Sequence, residues 1–291
     1  GGVTLSHPDR VLSPEPAVAM PAPARYYEAV RDWILPHVKD RPLTLVRCPE
    51  GYQKDCFYQK HANDQMPDVI GRVEVPADQG SACYTIAHSL EALLGLVQIG
   101  VLEIHTWGAK RDKLDRPDRM ILDLDPGPAV DWSSVIEGAQ LLRTLLSELN
   151  LTSFVKTTGG KGLHVVVPLQ RVHTWDEVKT FSKSLAEHLE RMIPERFVAT
   201  MSKAKRQGKI YVDYLRNAQG ATAVAAYSTR ARPGAPVSVP LAWDELSIDL
   251  RSDSFTLVNL PDRLRRLSKD PWAEYGATKQ RLTKTMRLRL T

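Results

Sequence analysis

Short strand-like runs dominate the second half of the chain, and helical segments do not separate them in strict alternation. The runs lie at residues 102–107, 119–124, 154–156, 163–167, 210–215 and 223–228. Helical periodicity in this half is limited to two stretches, which follow Ser134 and Thr174. A parallel sheet needs a long crossover, usually a helix, between successive strands. The pattern therefore predicts an α+β fold with largely antiparallel sheets flanked by helices.

The starts of the helices carry sequence signals of their own. Ser134 with Glu137, and Thr174 with Glu177, have the spacing of a capping box, which predicts a helix start at the Ser and at the Thr. In the first half of the chain, prolines make regular structure unexpected before Ala24. Beyond that residue the pattern predicts a helix over 24–37, strands over 43–48 and 56–59, and a short helix over 90–99.

The composition is that of a globular protein. Hydrophobic residues make up 43% and charged residues 25% of the 291 residues, which excludes disordered and fibrous classes. No apolar run approaches the roughly 18 residues of a membrane span. A signal-peptide pattern is also lacking, so no membrane partner and a cytoplasmic location are expected. The three cysteines are too few for a disulfide framework and lack zinc-site spacing, so Cys48 and Cys56 are expected to be ordinary thiols.

Basic residues are clustered rather than spread evenly along the chain. The formal net charge is +5. Seven basic residues lie between Lys203 and Arg232 beside one acid, Asp213, and nine more lie from Arg263 onward. Such clusters are typical of proteins that bind a polyanion, with nucleic acid or a polyphosphate as the natural candidate. Solvated basic faces are the alternative.

Two carboxylates follow an apolar strand pattern at Asp123 and Asp125. Side chains alternate across a strand, so these two acids share one face, about 7 Å apart at the backbone. Carboxylates at this distance can converge on divalent cations of the kind that phosphoryl transfer uses. A surface loop is the alternative. A phosphatase of the haloacid dehalogenase type would need a Thr where this chain has Gly127.

A glycine-rich segment with one lysine lies between two predicted strands. Its sequence is Thr-Thr-Gly-Gly-Lys-Gly-Leu-His, from Thr157 to His164. Glycines allow the backbone to approach an anion, Lys161 supplies positive charge and Thr158 a hydroxyl. The segment is not a P-loop, because Gly162 follows the lysine where that motif has Ser or Thr. The alternative for the segment is a glycine hairpin that connects two strands and binds no anion. The alternative for His164 is a packing residue without a ligand.

A third acid, Asp213, lies on a predicted strand. Its side chain is expected on the face of that strand opposite to the side chains of Val212 and Tyr214. Within a basic stretch, a single acid could simply form a salt bridge. Together with Asp123 and Asp125 it would complete a set of three carboxylates around a metal site.

These three motifs, in this order and spacing, resemble the archaeo-eukaryotic primase superfamily and, more closely, the polymerase domain of bacterial ATP-dependent ligase D. The resemblance covers nearly the whole chain and implies a primase-polymerase catalytic core over residues 1–291. Residues 1–100 would form a DNA-contacting subregion, and residues 101–291 the catalytic core with a basic C-terminal segment. The start at Gly1-Gly2 suggests a domain of a longer polypeptide. Further phrases that match are His7–Leu12, Tyr26-Tyr27, Leu35–His37, Arg41–Leu43, Cys56–His61 and Glu103–Trp107.

The resemblance implies a role for particular residues. The metal-binding and catalytic carboxylates would be Asp123, Asp125 and Asp213. The residues around the incoming nucleotide would be His105, Thr158, Lys161, His164, Arg206, Arg230 and Arg232. The family commonly has Ser at the position of Thr158. DNA would contact Phe57 and Tyr58, an aromatic pair that stacks on the template, and Arg10, which would hold a 5′-phosphate.

The implied activity is template-dependent nucleotidyl transfer to 3′ ends at gaps or double-strand breaks during non-homologous end joining, with ribonucleotides preferred. The implied cofactors are two divalent cations, Mn²⁺ or Mg²⁺, and the substrates are nucleoside triphosphates (ATP or other NTPs, and dNTPs). The implied partners are primer-template or gapped DNA with a 5′-phosphate, the ligase and nuclease domains of the same chain, and Ku. The implied location is cytoplasmic and nucleoid-associated. A metal-dependent nuclease or phosphatase and a non-catalytic DNA-end binding module are the rival interpretations.

Overall fold

A computed structural model describes residues 11–14, 17–19, 21–77 and 80–290. None of the helices in these ranges is long and apolar enough to cross a membrane. In chain order the strands and helices are β1 (Val11–Pro14), β2 (Ala17–Ala19), α1 (Pro21–Val38), β3 (Leu43–Arg47), β4 (Phe57–Gln59), β5 (Gly71–Pro76), β6 (Ser81–Ile86), α2 (Leu90–Gln98), β7 (Val101–Trp107), β8 (Arg119–Pro126), α3 (Trp132–Glu148), β9 (Phe154–Thr157), β10 (Leu163–Pro168), α4 (Trp175–Met192), β11 (Phe197–Val198), β12 (Ile210–Asp213), β13 (Thr222–Val224), β14 (Pro240–Leu241), α5 (Leu260–Arg266) and α6 (Lys284–Leu288).

The chain forms two compact units, each assembled from three segments. The first unit comprises Gly1–Leu114, Thr222–Val239 and Asp253–Ser268. The second unit comprises Asp115–Ala221, Pro240–Ser252 and Lys269–Thr291. The subdivision near residue 100 that the sequence suggests, with DNA contact assigned to its N-terminal part, stays a prediction.

The first unit contains an antiparallel sheet with the strand order β13-β7-β3-β6-β5, and β4 also pairs with β3. Side chains on alternate residues of β7 have different surroundings. Leu102 and Ile104 are buried among apolar residues, whereas Glu103 and His105 lie on the opposite face. The face with Glu103 and His105 is the part of this unit that concerns the candidate site.

The second unit contains a six-stranded sheet in the order β11-β12-β8-β10-β9-β14. All its pairs are antiparallel except β11 with β12. Leu122 and Leu124 of β8 are fully buried, and α3 and α4 both pack against this strand. The prediction of an α+β fold with largely antiparallel sheets is therefore confirmed.

The two predicted capping boxes have different outcomes. Thr174 caps α4, because its hydroxyl accepts from the N–H of Glu177 and the Glu177 carboxylate accepts from the N–H of Thr174. The prediction of a capping box that starts at Ser134 is wrong. The helix α3 begins at Trp132, and its cap is Asp131, whose carboxylate accepts from the N–H of Ser134 at 2.8 Å. Aspartate is as good a cap as serine, and it lies three residues earlier.

The expectation that regular structure is absent before Ala24 is wrong. The short strands β1 and β2 pair antiparallel, and α1 begins at Pro21. Proline is tolerated in the first turn of a helix because an N–H at that position has no partner within the helix. Prolines at the start of α1 therefore mark its first turn rather than exclude it.

The expectation that Cys48 and Cys56 are ordinary thiols is also wrong. The structure joins them in a disulfide, with Cα atoms 4.4 Å apart. The pairing follows from the register of β3 with β4, in which Arg47 lies opposite Phe57. The residues one step further along each strand are Cys48 and Cys56, which therefore face each other. An eight-residue separation in the sequence gave no indication of this register.

Candidate functional site

Four ionisable side chains form a row across one face of the sheet in the second unit. Asp213 of β12 lies opposite Asp123 of β8, Asp123 lies opposite His164 of β10, and His164 lies opposite Lys156 of β9. Residues paired in this way project on the same face. With strands about 4.8 Å apart, the row spans about 14 Å. The register therefore joins two of the sequence-predicted acids to the predicted histidine.

Asp125 lies two residues beyond Asp123 and on the same face, as the alternation of the strand predicts. Its partner across the sheet is Tyr211, whose hydroxyl donates to the Asp213 carboxylate at 3.2 Å. The Arg206 guanidinium lies over the ring of Tyr211, 3.9 Å from its centroid. The three predicted carboxylates thus share one face of two neighbouring strands.

Two arginines contact these three acids. Arg216 Nε lies 3.2 Å from an oxygen of Asp213 and 3.5 Å from an oxygen of Asp123, so one guanidinium bridges both carboxylates. Arg206 donates to Asp125 at 3.1 Å. The chain therefore supplies its own positive charge beside each acid.

The pKa values of the three carboxyl groups differ. Burial and the negative charge of Asp123 raise the pKa of Asp125. The pKa of Asp213 is raised as well, mainly by burial. Burial alone would also raise the pKa of Asp123, but its contact with His164 and the positive charges of Arg216 and Lys156 outweigh burial and lower this pKa to about 2. Asp123 is thus the acid most firmly held in its ionised form.

His164 is buried and lies 3.4 Å from an oxygen of Asp123, measured from Nε2. Burial and the positive charge of Lys156 lower the pKa of His164 to about 4. The imidazole is therefore neutral at physiological pH, and we infer that its Nε2–H faces the Asp123 carboxylate.

The carboxylates fit a divalent cation by the chemistry of their donor atoms. Hard cations such as Mg²⁺ and Mn²⁺ prefer carboxylate oxygens, and Asp123, Asp125 and Asp213 present these oxygens on one face. As oriented, however, no three His, Cys, Asp or Glu side chains in the described residues form a ready metal-binding group. The acids contact Arg206 and Arg216 instead. A cation would therefore have to compete with these guanidinium groups.

The glycine-rich loop lies between β9 and β10, at one end of the row. The Thr158 hydroxyl donates to the carbonyl of Gly162 at 3.1 Å and accepts from the N–H of Gly160 at 3.2 Å. Ser252 donates to the same Gly162 carbonyl at 2.7 Å. Lys161 is exposed at the tip of the loop. These bonds give the loop a defined shape and place its lysine in solvent.

Two glycines near the row are required by close packing. A Cβ atom on Gly162 would lie 2.1 Å from the carbonyl oxygen of Leu124. On Gly127, it would lie 1.9 Å from the carbonyl oxygen of Arg206. Both distances are far below van der Waals contact, so only glycine fits. Gly127 thereby allows the segment that carries Arg206 to approach the end of β8.

The first unit holds a second group of predicted residues. His105 Nε2 and Arg230 Nε lie 2.7 Å and 3.1 Å from the carboxylate of Glu103. Burial alone would raise the pKa of Glu103, but His105 and Arg230 lower it to about 2. Arg232 is exposed in the same turn as Arg230, and its N–H donates to the Arg230 carbonyl at 2.9 Å.

The predicted aromatic pair is exposed, but its two rings do not act as one surface. Phe57 is 46% and Tyr58 71% exposed, and adjacent residues of β4 project on opposite faces. The Arg47 guanidinium lies 5.4 Å from the centre of the Phe57 ring. Tyr58 lies on the face of His105, with ring centres 6.3 Å apart.

The structure thus places the predicted residues in two groups. Asp123, Asp125, Asp213, Thr158, Lys161, His164 and Arg206 lie in the second unit, and Phe57, Tyr58, His105, Arg230 and Arg232 in the first. Arg10 lies outside the described residues. The individual roles assigned to these residues stay predictions.

Sequence reasoning missed the residues that hold these groups together, namely Glu103, Lys156, Arg216 and Ser252. A charged residue inside an apolar strand was the available signal for Glu103 and Lys156, since buried charges are rarely tolerated without partners. Ser252 lies in a stretch without any distinctive pattern, and nothing in the sequence distinguishes Arg216 from the other basic residues of its cluster.

Comparison with known proteins gives a consistent result. A family model described as LigD, primase-polymerase domain, matches residues 23–272. The multifunctional non-homologous end joining protein LigD of Pseudomonas aeruginosa is 46% identical over 99% of this chain and 34% of its own length. The bifunctional LigD of Bacillus subtilis is 31% identical over 83% of this chain and 39% of its own length. The chain therefore spans about a third of the length of these curated relatives.

A solved structure agrees with these matches. The polymerase domain from Mycobacterium tuberculosis ligase D in complex with DNA is 30% identical to this chain, with a TM-score of 0.85. The match covers 91% of this chain and 94% of that one.

Proposed function

The chain belongs to the family of LigD primase-polymerase domains, which are nucleotidyltransferases of the archaeo-eukaryotic primase type, and from this premise we propose that it adds nucleotides to DNA 3′ ends under the direction of a template. Its setting is the repair of gaps and double-strand breaks by non-homologous end joining. Ribonucleotides are the preferred substrates. The cytoplasmic, nucleoid-associated location expected from the sequence stays a prediction.

The observation that carries this proposal is the arrangement of charge in the second unit. Three carboxylates lie on one sheet face, and the glycine-rich loop with Lys161 begins one strand away. Acids next to an exposed lysine loop suit a reaction between a triphosphate and a hydroxyl, because such reactions need cations and a fixed polyphosphate.

Asp123, Asp125 and Asp213 would hold the divalent cations, which we propose to be Mn²⁺ or Mg²⁺. When bound, such cations favour ionisation of the primer 3′-hydroxyl and stabilise the charge of the departing pyrophosphate. His164 keeps Asp123 oriented by its contact at 3.4 Å. The neighbouring Arg206 and Arg216 limit the repulsion among the three acids.

Basic side chains would bind the triphosphate. The residues proposed for this role are Lys161, Arg206, His105, Arg230 and Arg232. Charge-assisted contacts of this kind fix the reacting phosphate, so catalysis consists mainly of positioning and charge stabilisation. The internal bonds of Thr158 support the loop that carries Lys161.

The DNA partner is a primer-template or a gapped duplex. The solved relative from Mycobacterium tuberculosis is itself in complex with DNA. Tyr58 and Phe57, both exposed, would stack on unpaired template bases. Arg10 would hold a 5′-phosphate. The ligase and nuclease domains of the parent chain and Ku would be the protein partners.

A primer-extension experiment tests the proposal. The protein is incubated with a labelled primer on a gapped duplex, with Mn²⁺ or Mg²⁺ and with each NTP or dNTP in turn. We expect the templated nucleotide to be added, with NTPs used better than dNTPs, and addition to stop when a chelator removes the cation.

Each rival gives a different result in the same experiment. Shortening of the primer or loss of its terminal phosphate would identify a nuclease or phosphatase and overturn the proposal. Binding of the duplex without incorporation under any metal would identify a non-catalytic DNA-end binding module.

A further inference from the structure

One buried carboxylate in the first unit accepts hydrogen bonds from a histidine ring and a backbone N–H and forms an ion pair with an arginine. Glu103 of β7 contacts His105 Nε2 at 2.7 Å and Arg230 Nε at 3.1 Å. It also accepts from the backbone N–H of Ala231 at 2.9 Å. Arg230 and Ala231 lie more than a hundred residues further along the chain. Glu103 thus links β7 to the turn that carries Arg230 and Arg232.

The burial of the three side chains is graded. The Glu103 side chain is 7% exposed, whereas those of His105 and Arg230 are 13% and 15% exposed. Glu103 is therefore the least accessible of the three, and the imidazole and the guanidinium present more surface to a ligand on this face. Burying a carboxylate costs several kcal/mol unless hydrogen bonds compensate for it. Two hydrogen bonds and one ion pair provide the compensation in this case.

The fold of this region does not depend on Glu103 alone. The Ser228 hydroxyl accepts from the N–H of Ile104 at 2.8 Å, and the Thr229 hydroxyl donates to the carbonyl of Leu102 at 2.6 Å. These bonds attach the segment before Arg230 to β7 independently of the carboxylate. A change at Glu103 should therefore disturb the two basic side chains more than the backbone.

We propose that Glu103 is a positioning residue for the incoming nucleotide, which holds the His105 ring and the Arg230 guanidinium in the orientation that binds the triphosphate and sugar. The proposal rests on the function proposed above. An ionised carboxylate can only accept hydrogen bonds, so Nε2 of His105 must carry a proton and the imidazole is fixed in one orientation. Loss of the negative charge would free both side chains at once.

The proposal is tested by equilibrium binding of a nucleoside triphosphate analogue that has a non-reactive α,β-bridge, in the presence of Mn²⁺ and gapped DNA. This measurement does not depend on turnover. The variants are Glu103→Gln, which removes the charge at constant size, and Glu103→Asp, which keeps the charge but moves it away from His105 and Arg230 by one methylene group. Glu74→Gln is the matched control, because Glu74 accepts from Ser81 on β6 and contacts neither basic residue. Thermal unfolding of each variant verifies that the fold is retained.

We expect Glu103→Gln to weaken nucleotide binding by about tenfold or more, in line with the loss of charge-assisted contacts. Glu103→Asp should have a smaller effect, and DNA affinity should change less than about twofold in either variant. In a His105→Ala, Arg230→Ala background, Glu103→Gln should have little further effect, because a positioning residue has nothing left to position. Nucleotide KM should rise more than kcat falls.

Two results would overturn the inference. One is wild-type nucleotide affinity in a folded Glu103→Gln protein. The other is an undiminished effect of Glu103→Gln when His105 and Arg230 are already alanine, which would mean that Glu103 acts through the general fold. If the wild-type protein binds the analogue but never incorporates a nucleotide, the proposed function fails while the role of Glu103 in binding is still decided by the variants.

Discussion

Two carboxylates with little solvent exposure, Glu103 in the first unit and Asp123 in the second, have similar immediate neighbours. Each contacts one histidine and one arginine: His105 and Arg230 for Glu103, His164 and Arg216 for Asp123. The pKa of each carboxyl group is lowered to about 2, because positive or donating neighbours outweigh the effect of burial. By these contacts alone, the two acids could have the same role.

The difference lies in what else surrounds them. Glu103 is completed by a backbone donor, the N–H of Ala231. Asp123 has Asp125 and Asp213 beside it, and the pKa of both is raised, so each ionises less readily in the folded protein than a free aspartate side chain does. The first arrangement balances its charge and holds side chains in place. The second retains a demand for positive charge, which is the property that a cation-dependent reaction uses.

Removing an acid from the Asp123 group should have the largest effect. We expect Asp213→Asn to reduce nucleotide incorporation by more than about a hundredfold, because the acid helps to hold the cations that supply several kcal/mol of transition-state stabilisation. Glu103→Gln should reduce it less. Primer extension at saturating Mn²⁺ measures both, with the exposed Asp249→Asn as the control. A variant lacking Asp213 that keeps activity within about threefold of wild type would remove the distinction between the two groups.

The glycine loop offers a second way to disturb the Asp123 group. A Cβ on Gly162 would lie 2.1 Å from the Leu124 carbonyl, so Gly162→Ala must displace β10 from β8 beside Asp123. Overpacking of this kind costs about 1–3 kcal/mol, and we expect incorporation to fall at least about tenfold. Gly276→Ala is the control, since its Cβ would meet no atom within 4 Å. Equal activity of the two variants would show that the loop geometry is unimportant.

Stability measurements should separate the acids within the Asp123 group. The lowered pKa of Asp123 means that its charge stabilises the fold at neutral pH, so Asp123→Asn should lower the free energy of unfolding. The raised pKa of Asp125 means that its charge destabilises the fold at neutral pH, so Asp125→Asn should leave stability unchanged or increase it. Urea unfolding at neutral pH measures both values. The opposite order would contradict this account of the site.

The smallest expected effect concerns acidification of the Glu103 group. The folded pKa of Glu103, about 2, lies below its usual value of 4.5, so its stabilising charge is fully present above pH 4.5 and is lost as the pH falls toward 2. The difference in unfolding free energy between wild type and Glu103→Gln should therefore shrink over that window. Urea unfolding in a pH series measures it. A difference that stays constant down to pH 2 would show that the charge of Glu103 contributes nothing.

Local geometry explains which features could be predicted from the sequence. The common face of Asp123 and Asp125 follows from alternation along β8, and the start of α4 follows from the capping pair Thr174 and Glu177. The hairpin of β5 and β6 was not predicted, because β5 is largely exposed and its residues give no buried apolar pattern. Prediction therefore succeeded where the signal lies within a few residues.

Patterns within short segments of the sequence were enough to predict strands that alternate apolar and acidic residues, a glycine-rich loop with a lysine between two strands, and clusters of basic residues. The row of Asp213, Asp123, His164 and Lys156 could be recognised only from the pairing of the strands. Only the tertiary structure shows that Glu103 meets Arg230, and that Cys48 meets Cys56. The side-chain periodicity of a strand is a property of its own backbone. The register between strands depends instead on packing over the whole sheet, and a shift of one residue would move every side chain of a strand to the other face.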